Sequence, residues 1–343
     1  MGESHFPEKE KYVGNAFQLG GTRRYCLTDG IANGCRCIDV NTGSGFAYTV
    51  VCDRGLDISL ASYQGINLVF LTENAEAHPA FFDAADTNWL RTFSGGLLTT
   101  CGPSHLGPPC EDGGETLGQH GRWTALPAKN VYSKTDYKTG KIEITGELKD
   151  SAPFGHKISI HRTITSYLGK NEVTVEDTIT NEGGQAVPLN VLYHINFGYP
   201  FLSEDMTVRI PSKQCVGYDD TDKQLLEQAS VKAPQNNHLE KNYLHTFEGQ
   251  DRITAWVHNP KLKNGLAAAV TFDPRELPYL TQWVLENVKD YVLALEPANV
   301  PCQSRSFLRE SNLLPFLQPG EAKTLRVKIE VMAENETIRK KLG

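Results

Sequence analysis

The fold is decided by a stretch in the middle of the chain, residues 157–164 (KISIHRTI) followed by residues 172–179 (EVTVEDTI). Apolar and polar side chains alternate along both segments, which is the period-two pattern of a strand with one buried face. Gly169, Lys170 and Asn171 lie between the segments and supply a turn. The two segments are therefore predicted to form a β-hairpin.

The same kind of pattern continues outward in both directions. Residues 24–71 contain short β-branched and aromatic runs separated by Gly34, Gly43, Gly55 and Gly65, a spacing typical of antiparallel β-structure. Residues 266–272 are nearly all apolar, and residues 324–332 alternate again. Many short strands with few helical segments predict an all-β fold, a β-sandwich of antiparallel strands. We expect one domain over residues 1–343, with residues 1–23 as an N-terminal extension.

Composition narrows the class of partner. The 343 residues carry a formal net charge of −7, which argues against nucleic-acid binding because that function needs a basic face. The first residues are polar and lack the apolar core of a signal peptide. No apolar run reaches the ~20 residues that a membrane helix needs. We therefore expect a cytoplasmic protein that binds a small molecule and no membrane, and the sequence leaves a homodimer open.

The cysteines give no sign of a disulfide framework or a metal site. Eight of them are scattered along the chain: Cys26, Cys35, Cys37, Cys52, Cys101, Cys110, Cys215 and Cys302. In a long chain without a secretory signal we expect reduced thiols. Cys35 and Cys37 are separated by a single residue, and the sequence has no second cysteine pair at zinc-site spacing. No metal is therefore predicted there.

One histidine lies where a strand meets a loop. Residues 190–200 start as a β-branched and aromatic run around His194 and stop at Gly198, Tyr199 and Pro200, which end a strand. Rigid scaffolds often present functional side chains at such junctions. The alternative is a hydrogen-bonded histidine of the core or of a sheet edge.

One carboxylate ends a second apolar strand, much later in the chain. Glu296 follows the apolar run of residues 291–295 and precedes Pro297. A buried, unpaired glutamate is costly, and such groups tend to have shifted pKa values and functional roles. The alternative is a glutamate at an exposed strand end.

These two stretches resemble the aldose 1-epimerase (galactose mutarotase-like) superfamily. In that superfamily a strand histidine supplies the general acid, which His194 matches. A later strand that ends in Leu-Glu before a proline-containing loop supplies the general base, which Glu296 matches. Residues 53–58 (DRGLDI) and 93–97 (FSGGL) are similar to a poorly characterised branch of it. The resemblance runs from about Cys52 to about Val331 and implies the superfamily's two-sheet "supersandwich".

The resemblance also implies substrate-binding residues. His120 lies in residues 117–121 (LGQHG), which are similar to a His-Gly segment whose histidine contacts the sugar. Gln119 before this histidine and Arg122 after Gly121 depart from the superfamily's Leu-His-Gly-Gly pattern. Arg91, two residues after Trp89, is the nearest stand-in for an Asn-Arg pair. An aromatic ring beside an arginine suits a sugar, because the ring face covers C–H groups while the guanidinium bonds hydroxyls.

Three more side chains are candidate substrate contacts. Arg54 could present its planar guanidinium to paired hydroxyls. Alternatively, it could help to fix a turn between strands, where Asp57 is predicted to form an internal ion pair. Asn196 lies on the His194 strand and is expected to bind substrate. Trp283 is expected to form a pocket wall, with a core tryptophan as the alternative.

The resemblance implies an isomerase that acts on a sugar at its anomeric carbon and needs no metal or organic cofactor. Glu296 would remove the proton of the anomeric hydroxyl, and a protonated His194 would give one to the ring oxygen. Two alternatives stay open, namely epimerisation or isomerisation at another carbon through an enediolate, and carbohydrate binding or sensing without catalysis. A metal site built from His105, Glu115, His120 and His194 has little support, because loop ligands at loose spacing are a weak signal.

Overall fold

The computed structural model describes residues 6–218, 231–237, 239–335 and 337–338. Residues 1–5 of the predicted N-terminal extension lie outside these ranges. The first strand already begins at Gly21, so the end of that extension is part of a sheet. Within the described ranges, no helix is both long enough and apolar enough to span a bilayer.

Strands dominate the described residues, as the alternation of apolar and polar side chains predicts. They are β1 Gly21–Cys26, β2 Arg36–Asn41, β3 Phe46–Val51, β4 Asp57–Tyr63, β5 Ile66–Asn67, β6 Thr99–Cys101, β7 Cys110–Asp112, β8 Glu115–Leu117, β9 Lys129–Asp136, β10 Lys141–Ser151, β11 Lys157–Tyr167, β12 Glu172–Asn181, β13 Val187–Pro188, β14 Leu192–Phe197, β15 Thr207–Arg209, β16 Gln214–Gly217, β17 Lys241–Thr246, β18 Ile253–Asn259, β19 Leu266–Phe272, β20 Tyr279–Glu286, β21 Tyr291–Ala298, β22 Phe316–Leu317 and β23 Ala322–Ala333. The α-helices are α1 Phe6–Glu10 and α2 Arg305–Glu310, and the 3-10 turns are Ala16–Leu19, Gly30–Ala32, Pro79–Phe81, Asn88–Thr92, Trp123–Ala125 and Leu262–Asn264.

Three antiparallel sheets build the sandwich. The eight-stranded sheet has the order β15-β18-β19-β23-β12-β11-β10-β9, and the six-stranded sheet has the order β16-β17-β20-β21-β14-β6. Strands β1 to β5 form a five-stranded sheet in chain order. This sheet adjoins the six-stranded sheet through single bridges such as Ile58 to Leu98 and Val69 to Phe197. The predicted class, an all-β antiparallel sandwich with few short helices, is confirmed.

The hairpin predicted from residues 157–179 is confirmed as β11 and β12, with Ile160 opposite Ile179 and Ile164 opposite Val175. Every second side chain of both strands is buried. These side chains join a single apolar cluster that also contains side chains of the other two large sheets, for example Val50. Burying one face of each sheet against the other layer is what drives the strands together.

A charged network lies in the middle of this apolar core. The Arg162 guanidinium donates to Asp177 and to Asp57, each at 2.8 Å, and both Arg162 and Asp177 are fully buried. Tyr193 donates its hydroxyl to Asp177 at 2.8 Å, and Thr100 donates to Asp57 at 2.6 Å. The internal ion pair predicted for Asp57 is thus confirmed, with Arg162 as its partner. The network fastens β11 and β12 to β6 and to β14, and β14 is the strand that carries His194.

Candidate active site

A cavity of about 600 Å³ lies over one face of the six-stranded sheet, on the side away from the apolar core. A volume of this size suits a small-molecule ligand. Its lining combines aromatic rings with carboxyl, imidazole and amide groups. The lining residues are Thr87, Trp89, Leu90, Phe93, Pro108, Pro109, Gln119, His120, His194, Tyr218, Glu240, Asn242, Trp283, Glu296, Cys302 and Gln303.

Strand register brings the two predicted catalytic side chains together. Strands β14 and β21 are antiparallel neighbours, with Leu192 opposite Ala298 and Ile195 opposite Leu295. That register puts His194 directly opposite Glu296, and directly opposed residues share one face of a sheet. The His194 Nε2 atom lies 3.1 Å from Glu296 Oε1, and both side chains are almost completely buried. The two groups, for which the sequence predicts opposite roles in proton transfer, therefore contact each other.

Burial sets the charge state of this pair. Burial, with a smaller effect from His120, lowers the pKa of His194 from 6.5 to about 3. Burial and the nearby Glu240 carboxylate raise the pKa of Glu296 well above its ordinary value. Because a desolvated site penalises each charged form, both shifts favour a neutral imidazole beside a protonated carboxyl. These two directions leave a single proton between the imidazole Nε2 and the carboxyl. The protonated His194 that the superfamily resemblance implies for the reaction stays a prediction.

Aromatic rings surround the His194 imidazole. Its ring centroid lies 5.4 Å from that of Phe93, 5.3 Å from Trp283 and 6.0 Å from His120. Trp89 in turn stacks on Phe93 at 4.6 Å. Such walls offer apolar faces to the C–H groups of a sugar, and they leave the imidazole little freedom to rotate. Trp283 lines the cavity, as one of its two predicted roles requires.

His120 is held at the cavity by its backbone and by one hydrogen bond. Its φ of 58° lies in the left-handed region. Gly121 follows it, where a Cβ atom would come within 2.3 Å of the His105 carbonyl oxygen. The Nδ1 atom lies 2.7 Å from the Leu106 carbonyl oxygen, which can only accept, so Nδ1 carries the proton and donates. Burial lowers the pKa of His120 to about 4, so the neutral ring keeps an unprotonated Nε2 as a hydrogen-bond acceptor.

Sequence reasoning missed Glu240 as a member of the site. Glu240 lies in a polar region, residues 201–244, that the sequence indicates only as loops over the pocket or at a subunit contact. In the structure its carboxylate accepts a hydrogen bond from the Trp283 indole at 2.8 Å and lines the cavity. Asn242, two residues later, lines the same cavity. No local signal identifies these residues, because their position depends on the pairing of β17 with β20.

Three predicted substrate contacts do not line the cavity. Arg54 is buried, and its guanidinium donates to the carbonyl oxygens of Ala77 and Thr92 at 3.1 and 2.8 Å. Burying a guanidinium requires such partners, so Arg54 is committed to the interior. Arg91 lies on the exposed side of its 3-10 turn and donates to Asn88.

Asn196 is the third of these residues, and it is fully buried on β14 behind the cavity wall. Its amide nitrogen donates to the carbonyl oxygens of Gly96 and His194, each at 3.0 Å. The weakly supported metal site is not assembled either. Glu115 pairs with Arg305, and within the described ranges no three His, Cys, Asp or Glu side chains are grouped so as to hold a metal ion.

Solved structures share this architecture. A candidate aldose 1-epimerase from Klebsiella pneumoniae is 19% identical, with a TM-score of 0.85 over 97% of this chain and 88% of that one. A galactose mutarotase-like protein from Clostridium acetobutylicum is 14% identical, with a TM-score of 0.64 over 92% and 99% of the two chains. A galactose 1-epimerase from Lactobacillus acidophilus is 12% identical, with a TM-score of 0.60 over 92% and 100%.

The fold is therefore that of the aldose 1-epimerase (galactose mutarotase-like) proteins, and the resemblance seen in the sequence is confirmed at the level of fold. Within that class the chain belongs to a family described as a domain of unknown function, DUF4432, whose profile matches residues 32–331. A search of curated proteins finds no match.

Proposed function

We propose that the chain is a carbohydrate-active isomerase of the mutarotase type, which interconverts the α and β anomers of an aldose. The observation that carries this proposal is the 3.1 Å contact between His194 Nε2 and Glu296 Oε1 on the wall of a sugar-sized cavity. Ring opening needs one group to accept a proton and another to donate one, and each such group contributes roughly 10²–10⁴-fold to the rate.

The proton balance of the reaction fits a pair that holds one proton. One member takes the proton of the anomeric hydroxyl while the other protonates the ring oxygen, and the bond between C1 and the ring oxygen breaks. Rotation about the C1–C2 bond and the reverse transfers then close the ring as the other anomer. If Glu296 is the base, as the superfamily resemblance implies, the proton must lie on His194 when the ring opens. The contact with Glu296 provides a direct route for that transfer.

The lining favours a neutral sugar as substrate. Its acidic groups are Glu240 and Glu296, and neither lysine nor arginine is among the lining residues of the described part of the chain. A sugar phosphate would bring about two negative charges close to Glu240, with no cation from the described lining to offset them. His120, Gln119 and Asn242 offer uncharged donors and acceptors that suit hydroxyl groups. We therefore expect hexoses to be better substrates than their 6-phosphates.

The test follows the α-to-β interconversion of D-galactose and D-glucose by NMR exchange spectroscopy, with the uncatalysed rate subtracted. Glu296→Gln and His194→Asn are each expected to lower kcat by roughly 10²–10⁴-fold. His245→Gln is the matched control, because it removes a buried histidine of the same sheet that lies outside the cavity lining. Full turnover in both site variants would exclude this acid–base pair.

The same experiment in D₂O separates mutarotation from the alternative chemistry. Epimerisation or isomerisation through an enediolate would introduce solvent deuterium into a C–H bond, whereas anomer exchange leaves every C–H bond intact. Saturable sugar binding without exchange would instead support a binding or sensing role.

A further inference from the structure

We infer that Asn196 is a positioning residue, which accepts a hydrogen bond from His194 Nδ1. This bond keeps the unprotonated Nε2 atom of the neutral imidazole directed toward Glu296. Asn196 would then affect the reaction through His194 and not through the direct substrate contact that the sequence predicts. The consequence for turnover rests on the proposed function, whereas the hydrogen bond can be tested without any sugar.

The orientation of the Asn196 amide is fixed by its own contacts. Its nitrogen donates to the Gly96 and His194 carbonyl oxygens at 3.0 Å each, and a carbonyl oxygen can only accept. A flipped amide would bring its oxygen against both carbonyls. The Oδ1 atom must therefore point away from them, and it has no hydrogen-bond partner although the residue is fully buried.

The second buried polar atom without a partner belongs to His194, the candidate catalytic residue. His194 Nδ1 is buried and has no hydrogen-bond partner either. His194 and Asn196 are two residues apart on β14, so their side chains emerge on the same face of the sheet. An interaction between the Asn196 side chain and the His194 ring opposes the lowering of the His194 pKa by burial, as expected of an acceptor beside an N–H group. Asn196 Oδ1 can accept a hydrogen bond and His194 Nδ1 can donate one. The two buried atoms therefore satisfy each other if Nδ1 carries the proton.

The tautomer decides which atom meets Glu296. With Nδ1 protonated, a neutral imidazole turns its Nε2 lone pair toward Glu296, whose Oε1 atom lies 3.1 Å away. The other tautomer would set the Nδ1 lone pair against the Asn196 oxygen. The partner of one ring nitrogen commonly fixes the state of the other in this way, and here it keeps the single proton of the pair between the two reacting groups.

The experiment is ¹⁵N NMR of the unliganded full-length protein with its ten histidines labelled, with the His194 signals assigned by their loss in His194→Gln. In the wild type we expect Nδ1 to be protonated, and an unprotonated Nδ1 would overturn the inference. In Asn196→Ala the Nδ1 signal should move toward the unprotonated position. An unchanged signal in this variant would also overturn it.

Two further variants separate the acceptor from general packing. Asn196→Asp keeps an acceptor and loses the two donated bonds, so Nδ1 should stay protonated, and behaviour like the alanine variant would refute the assigned role. Asn259→Ala is the matched control, because Asn259 is a buried asparagine that bonds Phe201 and Ser203 far from the pair. It should leave the His194 signals unchanged, and a change as large as that in the alanine variant at 196 would refute a specific effect.

Turnover provides the second readout. Asn196→Ala is expected to lower kcat about 10²-fold with a nearly constant KM, because a slightly misplaced catalytic group costs rate more than binding. Asn196→Asp should restore part of the loss. If the wild type shows no sugar turnover, the proposed function fails while the NMR result still decides the hydrogen bond.

Discussion

Replacing His245 by glutamine should make the protein less sensitive to acid. His245 lies on β17, is fully buried, and bonds Gln282 and Ser212 through its two ring nitrogens. Burial lowers its pKa from 6.5 to about 4. The unfolded chain therefore binds this proton more tightly than the folded chain does. The stability contributed by the neutral ring is complete above pH 6.5 and is lost as the pH falls toward 4.

The size of the effect follows from those two pKa values. At pH 5 the folded imidazole is mostly neutral and the unfolded one is mostly charged, and one pKa unit corresponds to 1.36 kcal/mol. Between pH 7 and pH 5 the histidine thus removes about 2 kcal/mol from the free energy of unfolding. In His245→Gln the difference in free energy of unfolding between the two pH values should shrink by about that amount. The loss of packing is common to both pH values and cancels in the comparison.

Urea unfolding at pH 7 and pH 5, followed by tryptophan fluorescence, measures this difference. His161→Gln is the control, because it removes an exposed histidine of β11 and should leave the pH difference as it is in the wild type. If His245→Gln retains the full wild-type loss of stability on acidification, burial of a neutral His245 does not explain the acid sensitivity. The same reasoning applies to His105, whose pKa burial also lowers to about 4.

Two further outcomes test the core and the site. Asp177→Asn leaves the fully buried Arg162 without the Asp177 carboxylate and weakens the hydrogen bond from Tyr193. The free energy of unfolding should therefore fall by about 3–5 kcal/mol. A loss below about 1 kcal/mol in urea unfolding would contradict a stabilising role for this pair. Glu240→Gln removes a charge that raises the pKa of Glu296. In this variant the alkaline fall of kcat/KM should therefore occur at a lower pH than in the wild type. An unchanged pH profile would show that ionisation of Glu296 does not cause this fall.

The sequence alone determined the strands and the class of fold. Alternation of apolar and polar side chains is a local pattern, because neighbouring residues of a strand face opposite sides of the sheet. It identified β11 and β12 and the turn between them, and the predicted apolar run became β19 with the predicted limits of residues 266–272. The sequence also singled out His194 and Glu296 as candidates, because the strands that carry them resemble a known superfamily.

Which polar side chains meet at the cavity depends on how distant strands pack together. Arg54 and Asn196 seemed suited to a ligand, yet both are buried with backbone carbonyl partners, whereas Glu240 from an unremarkable polar segment reaches the cavity through Trp283. The physical reason is that register between strands far apart in the chain fixes which residues face one another, and no local pattern records that register. Burial, which follows from the same packing, lowers the pKa of His194 and raises that of Glu296, and the sequence does not show which side chains will be buried.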